Sequence, residues 1–223
     1  GLVGREVSLL ALSDGWRCAR FPAARDYKPI GEGNTGPNTG GMGSFSPVPD
    51  VSDELARDLV EVVHRPVVAR MAEIGSPFSG VLYAGLMLTA DGPKVLEFNA
   101  RFGDPECQCL VRRITGDFAA LLYATATGRL ADLGDDAFGF GSDHVCCVVL
   151  ASAGYPGKHR TGVPIEGIEE AEGVEGVTVF HAGTAKAPGG PLLTAGGRVL
   201  NVVGAGPTLE AARERAYRAA EMI

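Results

Sequence analysis

Apolar positions recur along this chain in two rhythms. Glu6–Leu12 is a compact apolar run that reads as a strand, Ser13-Asp14-Gly15 as a turn, and Trp16–Phe21 as a returning strand, which predicts a β-hairpin. From Ser52 the spacing turns helical: Leu55, Leu59, Val62, Val63, Val67 and Met71 recur at intervals of three and four, and Gly75 ends the run. Ser52 suits the N-cap, and Asp53 and Glu54 in the first turn complement the helix dipole. Pro66 lies inside this pattern and predicts a kink or a split. Gly80–Thr89 reads as a buried strand, Asp91-Gly92 as a turn and Lys94–Asn99 as its partner strand. A loop over Arg101–Pro105, a short helix over Glu106–Ile114 and a helix capped by Asp117 and running to Gly128 complete this part.

Two stretches break the rhythm. Pro22–Pro49 has little periodicity, and its centre, Gly31–Gly43, is too rich in glycine for a helix or a regular strand. A structureless loop of that length in a compact domain is unusual unless it is functional. Ala131–Asp143 reads as a linker or domain boundary. Beyond it, strand signals fall at His144–Ser152, Val177–Ala182, Pro191–Thr194 and Arg198–Val203. A closing helix, Thr208–Ile223, turns Leu209, Ala212, Ala216 and Ala219 or Ala220 inward. The expectation is an α+β chain with one domain over residues 1–130 and a smaller β-rich domain over 131–223.

Composition narrows the function classes. The chain has 223 residues, net charge −7 and pI near 5.1, which disfavours nucleic-acid backbones but leaves room for a local basic pocket that takes a small phosphorylated ligand. No apolar stretch approaches about 18 residues and no signal peptide is visible, so no membrane partner is expected and the chain is expected to be soluble and cytoplasmic. The five cysteines (Cys18, Cys107, Cys109, Cys146 and Cys147) form no C-x-x-C pair and are expected to be free thiols. The opening residues read as mid-domain strand, so a fragment without its amino-terminal part is expected.

Two segments carry candidate chemistry. In Leu96–Glu106, residues two apart on a strand share a face, so Glu97 and Asn99 project together while Leu96 and Phe98 face the other way. A carboxylate and an amide oxygen are hard ligands suited to Mg²⁺ or Mn²⁺, and Arg101 at the strand end could grip a phosphate or acyl phosphate. On its own, E-x-N more often describes a strand with two solvated polar residues. In Asp26–Gly43, glycines let backbone N–H groups approach a ligand, Thr35, Asn38 and Thr39 add donors, and the whole could form an amide nest for an anion. Asp26 and Lys28 could hold a zwitterion between them. Alone, such a loop more often is flexible surface, and it is neither a P-loop nor G-x-G-x-x-G. No nucleophile triad is apparent; His64, His144 and His181 read as structural or surface groups, and His159 beside Arg160 is the one whose loop could face a phosphate.

Taken together, TGPNTGGMG (Thr35–Gly43), GVLYAGLM (Gly80–Met87) and EFNARFGDPE (Glu97–Glu106), in that order, resemble the glycinamide ribonucleotide synthetase family. So do AGYPG (Ala153–Gly157), RTG (Arg160–Gly162), VFHAGT (Val179–Thr184) and GGRVL (Gly196–Leu200), and the resemblance covers essentially the whole chain. It implies the second half of an ATP-grasp fold followed by a small β-rich carboxy-terminal domain. It implies ATP and Mg²⁺ or Mn²⁺, and ligation of glycine to 5-phosphoribosylamine through a glycyl phosphate. Glu97 and Asn99 fall on the family's metal-ligand positions, and Arg101 would stabilise the transferring phosphoryl group with Lys28 as a second catalytic candidate. Asp26, Thr35, Gly36, Pro37, Asn38, Thr39, Gly40, Gly41, Asp104, Pro105 and Glu106 would line the substrate side. Glu6, in the G-x-E-x-S context of Gly4–Ser8, would meet the nucleotide ribose. The chain departs from the family at Pro29, where Arg is usual, and at Asn34, where Asp is usual. The family's amino-terminal domain and glycine-rich nucleotide lid are missing from it, which implies little or no ligase activity by this chain alone. Other ATP-grasp enzymes, such as a carboxylase subunit or an N5-carboxyaminoimidazole ribonucleotide synthase, remain rivals, as does a non-catalytic binding module.

Overall fold

The structure is a computed structural model that describes residues 1–133, 138–186 and 188–223. Along the chain it forms β1 (Arg5–Asp14), β2 (Cys18–Arg20), β3 (Arg25–Asp26), β4 (Pro29–Gly31), β5 (Thr35–Asn38) and β6 (Gly43–Ser46). Then come α1 (Asp53–Leu59), a π-helical turn (Val60–His64), α2 (Arg65–Glu73), β7 (Ser79–Thr89), β8 (Gly92–Asn99), α3 (Glu106–Val111), β9 (Ile114–Gly116) and α4 (Phe118–Ala126). A 3-10 turn (Leu130–Asp132), β10 (Phe138–Phe140), β11 (His144–Ala151), α5 (Ile168–Glu172), β12 (Val177–His181), β13 (Thr184–Lys186), β14 (Leu192–Thr194), β15 (Arg198–Gly206) and α6 (Leu209–Ala220) follow.

The chain forms two compact units: residues 1–25, 46–103 and 113–141 make the first, and residues 26–45, 104–112 and 142–223 the second. The sequence reading divides the chain once, at 130/131. The units divide it several times, because β6 joins β11 in a five-stranded sheet of order β12-β15-β11-β6-β3 and brings its flanking residues with it.

The first unit is organised by a four-stranded sheet of order β2-β1-β7-β8. β1 and β7 run antiparallel in unbroken register from Arg5↔Leu88 to Asp14↔Ser79. Val7, Leu9, Ala11, Leu82, Ala84 and Leu86 are all buried, and Phe21 is fully buried with its ring edge-on to Phe102 and Phe138. The predicted β1–β2 hairpin is present. Its turn is tied by Asp14, whose Oδ1 accepts the N–H groups of Trp16 (3.1 Å) and Arg17 (2.8 Å), and the second strand is shorter than the sequence suggests.

The single amphipathic run after Ser52 is split. Ser52 caps α1 by accepting from Leu55 N–H, but the Arg65 N–H bonds to Val60 O, five residues back. This π turn inserts one extra residue, so Pro66, with no N–H to give, falls in the first turn of α2, where none is needed. It also rotates the apolar stripe: Val63 is buried while Val62 is 63% exposed, against the expectation that both face inward. The helix predicted to reach Ile114 stops at Val111, since Ile114 opens the β9–β10 pairing. That pairing occupies one flank of the linker expected over Ala131–Asp143, whose residues 134–137 lie outside the described residues.

In the second unit, two clusters alternate along β15. Val203 and Ala205 pack with Cys109, Val145 and Cys147, whereas Leu200 and Val202 pack with Ala171 and Ala219. Ala212, Ala216 and Ala219 are the buried face of α6, as the spacing predicts. The glycine-rich stretch is more regular than expected: β4 and β5 form an antiparallel hairpin, because glycine still offers both backbone groups to a ladder. Its connecting turn places Gly33 (φ 65°) and Asn34 (φ 63°) in the left-handed region, which Asn tolerates as Asp does. The five cysteines are free, and burial pushes the Cys107 and Cys146 thiols up to about 11. Among the described residues, no helix is long and apolar enough to cross a membrane.

His64 is completely buried, with Nε2 3.2 Å from the Leu9 carbonyl. Burial disfavours the charged ring and lowers its pKa from the ordinary 6.5, the carbonyl opposing only in part. The unfolded chain therefore binds the proton more tightly, and stability is lost as pH falls below about 6.5 while it is fully present above. Urea melts at about pH 7.5 and 5.5 should show this loss in the native chain and a reduced loss in His64→Gln. Equal slopes in both would reject it.

Candidate functional site

Strand register decides which side chains of the first unit meet. Tyr83 lies opposite Asn99 and Gly85 opposite Glu97 across β7–β8, while Ser8 lies opposite Gly85 and Glu6 opposite Met87 across β1–β7. Directly opposed residues share a face, so Glu6, Ser8, Tyr83, Glu97 and Asn99 stand on one side of the sheet. The hydroxyls of Ser8 and Tyr83 are 2.8 Å apart. A side chain at position 85 would meet Glu97 Cγ at 3.3 Å, so the absence of one at Gly85 gives the Glu97 stem its room. The register slips between Gly85 and Leu86, which pairs with Val95, leaving Leu96 as a bulge residue. Strict alternation therefore stops at Leu96, contrary to the expectation that it simply faces away from Glu97. Phe98, paired with Ala84, keeps the opposite face.

Arg101 follows the strand end. Its Nη1 donates to Phe102 O (2.9 Å) and its Nη2 lies 3.5 Å from Asn99 Oδ1, leaving the guanidinium exposed beside the amide. Among the described residues no group of three or more His, Cys, Asp or Glu side chains is placed to hold a metal ion. Glu97 and Asn99 do supply one carboxylate and one amide oxygen from a common face. That donor set fits Mg²⁺ or Mn²⁺ sharing its shell with phosphate oxygens and water, not an all-protein cage.

The second unit gathers the glycine-rich loop and the residues after Gly103. Thr39 donates to Lys28 O through both N–H (2.8 Å) and Oγ1 (2.7 Å), and Thr39 Oγ1 in turn accepts from Gly41 N–H (3.0 Å). Gly40 N–H donates to the Tyr155 hydroxyl at 3.1 Å. The amides of Gly40 and Gly41 are thus engaged within the protein, which corrects their assignment to an open anion nest; Thr35–Asn38 remains an exposed strand. Gly41 has φ 112°, and a Cβ there would stand 2.5 Å from Pro105 Cδ, so only glycine fits. Asp26 and Lys28 pair with each other at 3.0 Å, the carboxylate nearly buried, where the sequence suggested each would face a separate charge of a zwitterion.

Sequence reasoning missed Arg198. Its Nη1 donates to Asp104 O (2.7 Å) and Gly40 O (2.9 Å), with Gly41 O at 3.3 Å and Asp104 Oδ1 at 3.4 Å. One guanidinium nitrogen thereby ties the glycine-rich loop to the Asp104–Pro105 segment. Gln108 also donates to Asp104 Oδ1 (3.2 Å), Ser44 Oγ donates to Pro105 O (2.8 Å), and Glu106 is buried in the first turn of α3. Tyr155 was missed as well; its ring lies edge-on to His159, which is exposed. Both belong to motif segments, GGRVL and AGYPG, but no spacing rule joins residues more than a hundred positions apart.

The architecture around β1, β7 and β8 is that of the ATP-grasp class. The crystal structure of an N5-carboxyaminoimidazole ribonucleotide synthetase from Thermus thermophilus shares it with TM-score 0.62, at 20% identity over 98% of this chain and 51% of that one, a likeness of fold alone. Residues 1–107 match the description "Phosphoribosylglycinamide synthetase, ATP-grasp (A) domain", and residues 145–223 match "Phosphoribosylglycinamide synthetase, C domain". The chain belongs to the phosphoribosylglycinamide synthetase family. A phosphoribosylamine–glycine ligase from Mesorhizobium japonicum is 45% identical over 222 residues, covering 100% of this chain and 51% of the relative. The crystal structure of the Thermotoga maritima phosphoribosylamine–glycine ligase superposes with TM-score 0.79 at 35% identity, covering 100% of this chain and 53% of that one. The chain spans about half the length of the curated relatives it matches.

Because a Cβ at Gly41 has no space, Gly41→Ala should lower stability by about 1–3 kcal/mol, from strain and loss of loop contacts. Gly33→Ala, where a Cβ meets nothing but φ is 65°, should cost less. Chemical denaturation of both variants checks this; equal costs would contradict the packing argument.

Proposed function

We propose that this chain is the carboxy-terminal half of a ligase that joins glycine to 5-phosphoribosylamine at the expense of ATP. The observation that carries the reading is the shared sheet face of Glu97 and Asn99, with Arg101 next to Asn99, in a chain of this family. Glycine's carboxylate is a poor electrophile until one oxygen becomes a leaving group. Transfer of the γ-phosphoryl group of ATP gives glycyl phosphate and ADP. The amine of phosphoribosylamine then attacks the carbonyl carbon, the C–O bond to phosphate breaks, and the amine loses a proton.

A bound Mg²⁺ or Mn²⁺ would neutralise phosphate charge and polarise the transferring group. Glu97 and Asn99 would hold it, and Arg101 would lay its guanidinium against the phosphoryl oxygens. Glu6, on the same sheet face, would meet the nucleotide ribose. On the substrate side, Thr35, Gly36, Pro37, Asn38, Thr39, Gly40 and Gly41 would bound the site together with Asp104, Pro105 and Glu106. Arg198 holds two stretches of that boundary. The Asp26–Lys28 pair would open to a zwitterion, each partner exchanging its neighbour for one end of glycine. No protein nucleophile is required, so catalysis rests on positioning and electrostatics.

The domain reading proposed is an ATP-grasp part over residues 1–130 and a β-rich part over 131–223. The other half of the relatives' length would supply the remaining contacts, and the reaction would take place in the cytoplasm.

The chain alone should release no ADP. Joined to the amino-terminal half of the Mesorhizobium relative, it should release ADP only with glycine and phosphoribosylamine both present. Glu97→Gln should lower kcat by about 10²-fold, the scale expected when one preorganised electrostatic group is removed. Glycine-independent release, release driven by bicarbonate, or full activity in Glu97→Gln would defeat the reading.

A further inference from the structure

The first unit carries a concavity of about 1080 Å³, whose wall includes Arg20, Asp53, Arg57, Arg113, Phe138 and Phe140. None of these residues belongs to β8, to the glycine-rich loop or to the Asp104–Glu106 segment. In a chain of net charge −7, this wall holds, among the described residues, three guanidinium groups and one carboxylate. The carboxylate is shared: Arg20 Nη2 reaches Asp53 Oδ1 at 2.6 Å and Arg57 Nη2 reaches Asp53 Oδ2 at 2.8 Å. Arg20 Nη1 is buried and makes no hydrogen bond among the described residues. Arg113 is also buried, and donates to Ser46 Oγ and Gly141 O, both at 3.0 Å. Glu54 and Asp58 stand near Arg57 on α1 but are not part of the wall. Two guanidiniums on one carboxylate leave positive charge on this side of the concavity that an added anion can balance.

Apart from Ser52, the remaining described wall is apolar and aromatic. The Phe138 and Phe140 rings meet edge-on with centroids 4.7 Å apart, and Pro22, Ala23 and Pro47 line the same concavity. The volume is too large for a bare oxyanion and lies at the upper end of, and slightly beyond, the roughly 300–1,000 Å³ of sites that take a whole small organic molecule. Guanidinium groups match phosphate oxygens with paired N–H donors, and aromatic edges and faces suit a flat ring.

We propose that this concavity is a second ligand site, for a phosphate monoester carrying a flat ring, of which a nucleoside monophosphate is the simplest case. It is independent of the ligase reading, since it uses none of the residues assigned there. Arg20 and Arg57 contact the phosphate, and Phe138 and Phe140 bound the ring.

The test is calorimetric titration of AMP, inorganic phosphate and adenosine into the full chain at low salt. EDTA is included so that metal-dependent nucleotide binding at Glu97 and Asn99 does not contribute. AMP should bind more tightly than either fragment. Arg20→Gln and Arg57→Gln should each weaken AMP about tenfold, the worth of one hydrogen bond to a charged group. Phe140→Ala should weaken AMP and leave phosphate unchanged, and Arg101→Gln should change neither. The Arg57 side chain is 64% exposed, so Arg57→Gln retains the fold and keeps the test decisive even if Arg20→Gln does not. AMP binding no tighter than adenosine, or undiminished in Arg57→Gln, or lost in Arg101→Gln, overturns the proposal.

Discussion

The register between β1 and β7 is the constraint on which the first unit depends. Val7 opposes Leu86, Leu9 opposes Ala84 and Ala11 opposes Leu82, and all six side chains are buried. Each large apolar side chain so buried is worth about 1.5–3 kcal/mol. A slip by one residue would send this set to the opposite face and separate the Ser8 and Tyr83 hydroxyls, so the apolar pairs outweigh anything the solvated end of β8 contributes. β8 then inherits its register from β7. The orientation of Glu97 and Asn99 is thus a consequence of burial elsewhere in the sheet, and the bulge at Leu96 is the one place where the inheritance is adjusted.

A different interaction organises the second unit. Arg198 is three-quarters buried and spends one nitrogen on backbone carbonyls from two segments of the chain. Such a bond is charge-assisted and partly desolvated, so it weighs more than exposed pairs such as Arg70–Glu73, whose side chains are 70% and 64% exposed and whose worth is about 0–1 kcal/mol. Gly41 completes the contact by having no side chain where Pro105 sits. The glycine-rich loop is therefore held by its neighbours, and its carbonyls matter as much as the amides that its composition advertises.

Much of this was legible in the residues. The β1–β2 hairpin, the Ser52 and Asp117 caps, the β7–β8 pair and the alanine face of α6 follow from local spacing and capping chemistry, which act over a few residues and survive into the fold. The common face of Glu97 and Asn99 follows from the two-residue period of a strand. The family resemblance rested on motifs whose order along the chain could be read directly, and the matches to both family domains agree with it. The π turn was half legible: Pro66 announced a break, but where the extra residue would be absorbed depends on which of Val62 and Val63 finds a buried place.

What the sequence alone determined is the principal hairpins, capped helices and carboxy-terminal strands and helix, the chemistry available at each motif and the family; these depend on residues close together in the chain. What only the tertiary structure decided is who meets whom across long separations. Arg198 reaches Gly40, Tyr155 takes the Gly40 amide, and Arg20 reaches Asp53 in the wall that also holds Phe138 and Phe140. Each of these contacts is set by backbone paths that bring distant residues within about 3 Å, and hydrogen bonds and ion pairs fall off too steeply with distance and angle for sequence spacing to foretell them.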